Sequence, residues 1–401
     1  MALLSVDDAL ERLLADVAPL DAEMVPLVDA NGRTLAADLV ARHAHPAFDA
    51  SAMDGYAVRA ADVSRLPAPL AVIGEAAAGQ AFEGPIGPGE AVRIFTGAMV
   101  PAGADLIAIQ EDTTRSGATV EVQTLESGTT YIRRQGSDFN AGDRLLTAGS
   151  RLSARTLMLA AAMGHGSVPV VRRPRVALVA TGDELVLPGE QRGRDQTICS
   201  NPFGISPLVR SAGGSPLFRG IARDDRDALR RELEAALAGS DVVVTIGGAS
   251  VGDHDLVGPV LSDMGATIDF WKVAMRPGKP LMLARLGEAR ILGLPGNPVS
   301  ALVCSRVFLM PLIARLAGRP GSEMAAHPAL LTRSLEANGP RLHYMRATLE
   351  RDGGTFQVTP AASQDSALIR TLATANAFIV RHPGAEAAEA GSAVDVLPID
   401  F

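Results

Sequence analysis

The chain has 401 residues, 47% of them hydrophobic, with a net charge of −8 and a mean hydropathy of +0.17. That length predicts two to four domains with sizeable cores; the charge leaves no basic excess for a general nucleic-acid binder, and an aromatic content of 4% offers little base-stacking surface. No apolar run approaches the ~20 residues of a membrane span, the early acids and missing basic segment argue against a signal peptide, and the two cysteines, Cys199 and Cys304, make neither a disulfide framework nor a CxxC zinc site, which fits a reducing cytoplasm.

Residues 5–18 predict an amphipathic helix. Val6, Leu10, Leu13, Leu14 and Val17 fall at helical spacing, and Ser5 with Asp8 resembles a capping pair. From 43 to 136, short alternating runs at 70–73, 91–95, 106–109 and 119–122 are separated by Gly/Pro turns, which predicts a small β module. The exit near Gly142 and the apolar 152–163 stretch lead back toward the N-terminal region, so this module reads as an insertion. Over 171–318, strand candidates at 175–180, 216–221, 241–246, 268–274 and 290–294 alternate with helix candidates at 202–212, 225–238, 255–264 and 298–317. That rhythm predicts a parallel sheet with helices on both faces. The rest of the chain returns to short strands at 344–349, 355–358, 377–380 and 393–397, a small β-barrel or sandwich.

In an open α/β sheet, ligands bind beyond the carboxyl ends of the strands. Strand 175–180 ends in Thr181-Gly182-Asp183-Glu184, and strand 216–221 ends in Ala222-Arg223-Asp224-Asp225. Strand 241–246 runs into Gly247, Gly248 and Gly252, followed by Asp253, His254 and Asp255 at the expected start of a helix. A buried strand, a glycine loop and a helix start form an anion cradle. Strand 290–294 ends in Pro295-Gly296-Asn297-Pro298, with Asn297 suited to the N-cap and Pro298 to the first helical position. Each acid also has an ordinary reading: Asp224 or Asp225 as an N-cap, Glu184 as a turn residue, Asp253 and Asp255 as first-turn dipole partners. Together, several carboxylates on one sheet edge repel one another unless a cation is present, and Mg²⁺ held by a few carboxylates and substrate phosphates meets that need.

Lys272, Arg276 and Lys279 bracket a second Pro-Gly turn, a pattern suited to an oxyanion. Gly278-Lys279 lacks the remaining Walker A residues, and the 247–252 glycines do not have dinucleotide-binding spacing. In the β module, the acids Asp49 and Asp54 sit in a run of small residues ending at Ala57, and Phe95-Thr96-Gly97 repeats the strand-to-glycine theme. No Ser/His/Asp triad is legible, and the seven histidines lack metal-ligand spacing.

Six segments, taken in order, resemble one family. Phe48–Val58, Arg93–Ala98, Thr181–Glu184, Ile246–Gly252, Arg276–Pro280 and Gly293–Ala301 look like the motifs of the molybdopterin molybdenumtransferase family (MoeA, and the E domain of gephyrin). The resemblance implies a multidomain α/β plus β fold. Its parts would be an elongated linking domain from 1–42 with 137–170, an inserted β module at 43–136, a MogA-like doubly wound α/β domain at 171–318, and a C-terminal β-barrel domain at 319–401. It implies a cytoplasmic homodimer whose active site lies in a cleft between the α/β domain of one subunit and the β module of the other. The implied reaction takes adenylylated molybdopterin and molybdate, with Mg²⁺, and yields molybdenum cofactor and AMP; other cofactor-biosynthesis proteins would be partners.

The family's functional positions would fall on Asp54, Thr96, Glu184, Asp224 and Asp255, with Glu184, Asp224 and Asp255 as the metal acids. Gly247, Gly248, Ser250, Gly252, Lys272, Pro295 and Pro298 would bind the pterin substrate. Arg276, Lys279, Ser300, Arg346 and Ser366 would bind molybdate. Many members carry lysine where this chain has Arg276; charge is kept, but the planar fork changes local anion geometry. Two rivals are an adenylyltransferase that activates molybdopterin with ATP and a non-catalytic scaffold of the gephyrin type. The surrounding β domains favour insertion over the first. The want of a long linker disfavours the second.

Overall fold

The computed structural model describes residues 3–248, 256–319 and 326–399, so Ser250, Gly252, Asp253 and Asp255 lie outside the described residues. The chain divides into two compact units: Met24–Asn31 with Ala37–Pro169, and Met1–Glu23 with Gly32–Ala36 and Val170–Phe401.

The first of these holds a six-stranded sheet. Its strands are β1 (Gly55–Val58), β2 (Ala68–Ala76), β3 (Glu90–Ile94), β4 (Leu106–Ile109), β5 (Thr113–Ser116) and β6 (Thr119–Val122), in the order β4-β1-β3-β2-β6-β5. Side chains alternate between two apolar clusters. Tyr56, Val58, Ala91 and Ala108 face one, and Ala57, Val92, Ile94 and Ile107 face the other. Strand β1 was not expected from its sequence. It forms because Gly55 has no Cβ: any side chain there would overlap the Ala108 carbonyl on the neighbouring strand. Arg93 braces this corner. Its guanidinium stacks on the rings of Tyr56 and Phe95 at 5.1 and 4.8 Å and donates to the Gly55 carbonyl.

The second unit opens with helix α1 (Val6–Leu14), capped by Ser5, whose hydroxyl accepts from the Asp8 amide. The helix stops short of the expected residue 18 because Asp16 turns left-handed, at φ 58°. Strands β7 (Arg175–Thr181), β8 (Ser215–Ala222), β9 (Val242–Ile246), β10 (Thr267–Lys272), β11 (Met275–Arg276), β12 (Pro280–Leu286) and β13 (Ala289–Leu294) follow. Six of them form one sheet in the order β8-β7-β9-β13-β12-β10.

The expected parallel arrangement holds for β8, β7, β9 and β13, but β12 runs antiparallel to both of its neighbours, β13 and β10. Strand β12 was missed in the sequence. It returns to β13 through a tight turn at Gly287 (φ +57°) and Glu288, which makes a hairpin and leaves the sheet mixed.

Helices cover both faces. On one side α1, α2 (Asn201–Ser211) and α5 (Pro298–Leu316) pack on Val176, Leu178, Val242 and Val244. On the other, α3 (Arg226–Leu237) and α4 (Val257–Asp263) pack on Ala177, Val179 and Val243. Each fully buried Val or Leu contributes about 1.5–3 kcal/mol. Helix α5 is long and apolar enough to cross a membrane, yet 78% of its most apolar window is buried inside the protein, as befits a core helix. It widens to a π turn at Ser305–Leu309, just before Pro311, which has no amide to continue the ladder.

Strands β14 (His327–Leu331), β15 (Leu342–Asp352), β16 (Thr355–Pro360), β17 (Ala377–Arg381) and β18 (Ala393–Pro398) close into a five-stranded barrel, because β15 pairs with both β16 and β17. Ala347, Val358, Ile379 and Val396 fill its centre. Strand β11 pairs with the start of β15, which ties the turn after Arg276 to the barrel.

Candidate functional site

The chain leaves β7 for β8 on one side and later returns to β9 on the other. Connections therefore diverge between β7 and β9, and a crevice opens at their carboxyl ends. A cavity of about 690 Å³ lies there. Its wall is built from the ends of four strands: Thr181, Gly182 and Glu184 after β7, Asp224 after β8, Gly247 and Gly248 after β9, and Pro295 to Pro298 after β13. Cys199, Ser200, Asn201, Pro280, Ala367 and Ile369 are among the other residues that line it.

Gly247 lines the cavity with backbone alone. Its backbone is left-handed (φ +95°), and a Cβ there would stand 2.8 Å from the Thr181 carbonyl and 3.0 Å from the Thr181 hydroxyl. That hydroxyl is buried and has no hydrogen-bond partner among the described residues. Gly247→Ala should cost about 1–3 kcal/mol through strain at a disfavoured φ. Gly296→Ala is the control, since its Cβ would meet only the Gly247 Cα at 3.8 Å. Urea denaturation should separate the two variants; equal midpoints would refute the strain at Gly247.

Two neighbouring acids divide the work that the sequence left open. Asp225 is the N-cap of α3, its carboxylate accepting from the Ala228 amide at 2.8 Å. Asp224 is thereby free to line the cavity. Its Oδ2 accepts from the Asp183 amide at 3.4 Å, while Asp183 Oδ1 accepts from the Asp224 amide at 3.3 Å. This reciprocal pair joins the loops after β7 and β8. Arg223 approaches Asp183 at 3.7 Å. Glu184 is exposed, and its carbonyl accepts from the Thr197 amide at 2.7 Å. Below the site, Asp241 anchors the sheet by accepting both guanidinium nitrogens of Arg172 and the Arg175 amide. Burial alone would raise its carboxyl pKa, but these donors outweigh that and hold it below the usual range.

Asn297 occupies the N-cap position of α5 and Pro298 the first turn, but the Asn297 side chain caps nothing. Its amide donates to the Ser366 hydroxyl at 3.3 Å, and the Val299 amide donates to the Ser366 carbonyl. Ser300 is buried in the same turn. Arg346 is only 1% exposed; its guanidinium donates to the carbonyls of Ser363 and Leu368. It thus holds the loop that carries Ser366 and Ala367.

Lys272, Arg276 and Lys279 are all exposed. Lys279 precedes Pro280, which lines the cavity, and its carbonyl accepts from the Val273 amide at 3.0 Å. The turn between them is packed down on α5, where the Cys304 thiol donates to the Gly278 carbonyl at 3.7 Å.

In the other unit, the Thr96 amide and hydroxyl both donate to Asp54 Oδ1 at 2.8 Å. The Thr96 amide is the main cause, and its hydroxyl the next, of a lowered carboxyl pKa at Asp54. The structure thus joins two motifs 42 positions apart in the sequence.

Asp183, Asn201 and Cys199 went unremarked as site residues. Asp183 lies between two noted positions. Asn201 donates to the Gly296 carbonyl at 2.7 Å, a contact 95 positions distant that no local pattern announces. Burial pushes the Cys199 thiol pKa up, so it is kept uncharged.

Three family descriptions match the chain in order: "MoeA N-terminal region (domain I and II)" over residues 4–164, "Probable molybdopterin binding domain" over 177–315, and "MoeA C-terminal region (domain IV)" over 328–399. The molybdopterin molybdenumtransferase of Nostoc sp. is 37% identical over 388 residues, covering 94% of this chain and 89% of the relative. That of Haemophilus influenzae is 34% identical over 99% of both. The crystal structure of a molybdopterin biosynthesis MoeA protein from Pyrococcus horikoshii superimposes with a TM-score of 0.87 at 29% identity, over 100% of each chain. The chain belongs to the molybdopterin molybdenumtransferase family.

Proposed function

We propose that the protein is a transferase of molybdenum cofactor biosynthesis that inserts molybdate into adenylylated molybdopterin and releases AMP. The observation that carries this reading is the meeting of Glu184, Asp224, Gly247, Gly248 and the Pro295–Pro298 turn on one cavity at the switch point of the sheet. Backbone amides at strand ends and glycines without side chains suit a pyrophosphate. Lys279, Arg276, Ser300 and Ser366 are our choice for the molybdate oxyanion, with Arg346 as the residue that positions their loop. Asp54 and Thr96 belong to the reading as catalytic residues: two donors on one oxygen fix the Asp54 carboxylate in its charged form.

Glu184 and Asp224 present hard oxygen donors to one cavity, which suits Mg²⁺ because that ion takes one or two carboxylates beside substrate phosphates and water. When bound, the ion supplies Lewis-acid activation of the phosphoanhydride. Asp255 would join these acids. The reading includes a cytoplasmic homodimer. The test is incubation with adenylylated molybdopterin, Mg²⁺ and molybdate. AMP should appear only when molybdate is present. Pyrophosphate release from ATP and molybdopterin would instead mark an adenylyltransferase.

A further inference from the structure

The cavity has an annex. A second hollow of about 340 Å³ opens beside it and shares Ser200, Asn201, Pro298 and Ile369 with it. Its remaining wall is apolar: Phe203, Ile205, Ala301, Leu302 and Leu372, with Gly204 between them. Phe203 is 55% exposed and Ile369 48%, so two large apolar side chains stand at its rim. Such surfaces cost free energy in water and mark binding sites when they adjoin a cleft. Phe203 is fixed by an edge-on contact with Phe218, ring centroids 6.0 Å apart. Gly204 keeps the hollow open, since a Cβ there would meet only Leu302 Cδ1, at 3.6 Å. Polar capacity is small. Asn201 already donates to Gly296, and Ser200, at the N-cap position of α2, makes no capping bond.

A flat, uncharged ring with few polar edges fits such a wall, joined to a phosphate that stays in the polar cavity. We propose that the annex takes the adenine ring of a nucleoside monophosphate group, which, on the reading above, is the adenylyl half of the substrate. The pterin, with its amino and oxo edges, needs more partners than the annex offers. Stacking and burial of one base contribute about 1–3 kcal/mol, a factor of about 5 to 150 in affinity.

The test is calorimetric titration of the intact protein with AMP and with ribose 5-phosphate, which lacks the ring. AMP should bind at least about fivefold more tightly. Gly204→Leu fills the annex from an exposed helical position and favours the helix. It should bring AMP down to the level of ribose 5-phosphate while leaving ribose 5-phosphate unchanged. Phe203→Ala should weaken AMP several-fold in the same way. Equal binding of the two probes by the unaltered protein, or AMP affinity untouched by both variants, overturns the proposal. Molybdate-dependent AMP release is judged separately on the unaltered protein. If release is present but the KM for adenylylated molybdopterin is unmoved by Gly204→Leu, the annex alone is refuted.

Discussion

Asp224→Asn should lower molybdate-dependent AMP release on the order of 10²–10³-fold, the loss that follows removal of one preorganised electrostatic group. Asparagine is nearly isosteric and keeps an oxygen to accept from the Asp183 amide, so the loops after β7 and β8 stay joined. Only the charge facing the cavity is removed. The neighbour gives the contrast. Asp225→Ala should cost about 1 kcal/mol of stability through loss of the α3 cap, with turnover unchanged. Steady-state kinetics and urea denaturation on both variants resolve the roles. Comparable loss of turnover in the two would mean that the helix, and not the Asp224 charge, matters.

From sequence alone these two acids are interchangeable, because either suits an N-cap. Only the path of the chain out of β8 settles which carboxylate turns inward. The same limit applies elsewhere. Strands β7, β9 and β13 were legible as short apolar runs buried on both faces; β8, at the sheet edge, is only partly buried and was legible from its place between two helices and the acids that follow it. Strand Pro280–Leu286 was not, since it begins with proline and its hairpin turn reads as ordinary chain. Strand Gly55–Val58 hid inside a run of small residues, where the requirement is the backbone contact of Gly55 with Ala108. Asp54 and Thr96 were each identified through the family resemblance; their hydrogen bonds were not, being contacts between distant segments. Arg346 reads as an anion ligand by its type and position in the family. Its burial under two carbonyls depends on the barrel loop around it.

The second large effect is on acid stability. His343 is 6% exposed in β15, paired with Arg276 on one side and Arg381 on the other. Burial, then the charges of Arg276, Arg341, Arg346 and Arg381, lower its pKa from 6.5 to about 4. Between those values the unfolded chain takes up a proton that the folded chain refuses. Stability is therefore full above pH 6.5 and falls as pH drops toward 4. At 1.36 kcal/mol per unit, the loss by pH 5 is about 2 kcal/mol. His343→Gln should lose about that much less between pH 7.5 and pH 5 in urea denaturation. Equal losses in the two proteins would show that His343 does not carry this acid sensitivity.

On the proposed function, the cavity couples release of AMP to insertion of molybdenum. The most direct measurement quantifies both products in one reaction containing the protein, adenylylated molybdopterin, Mg²⁺ and molybdate. AMP released and molybdenum bound to the pterin should rise together in equal amounts, and neither should form when molybdate is omitted. AMP release that proceeds at the same rate without molybdate, or molybdenum insertion without AMP, would contradict this coupling.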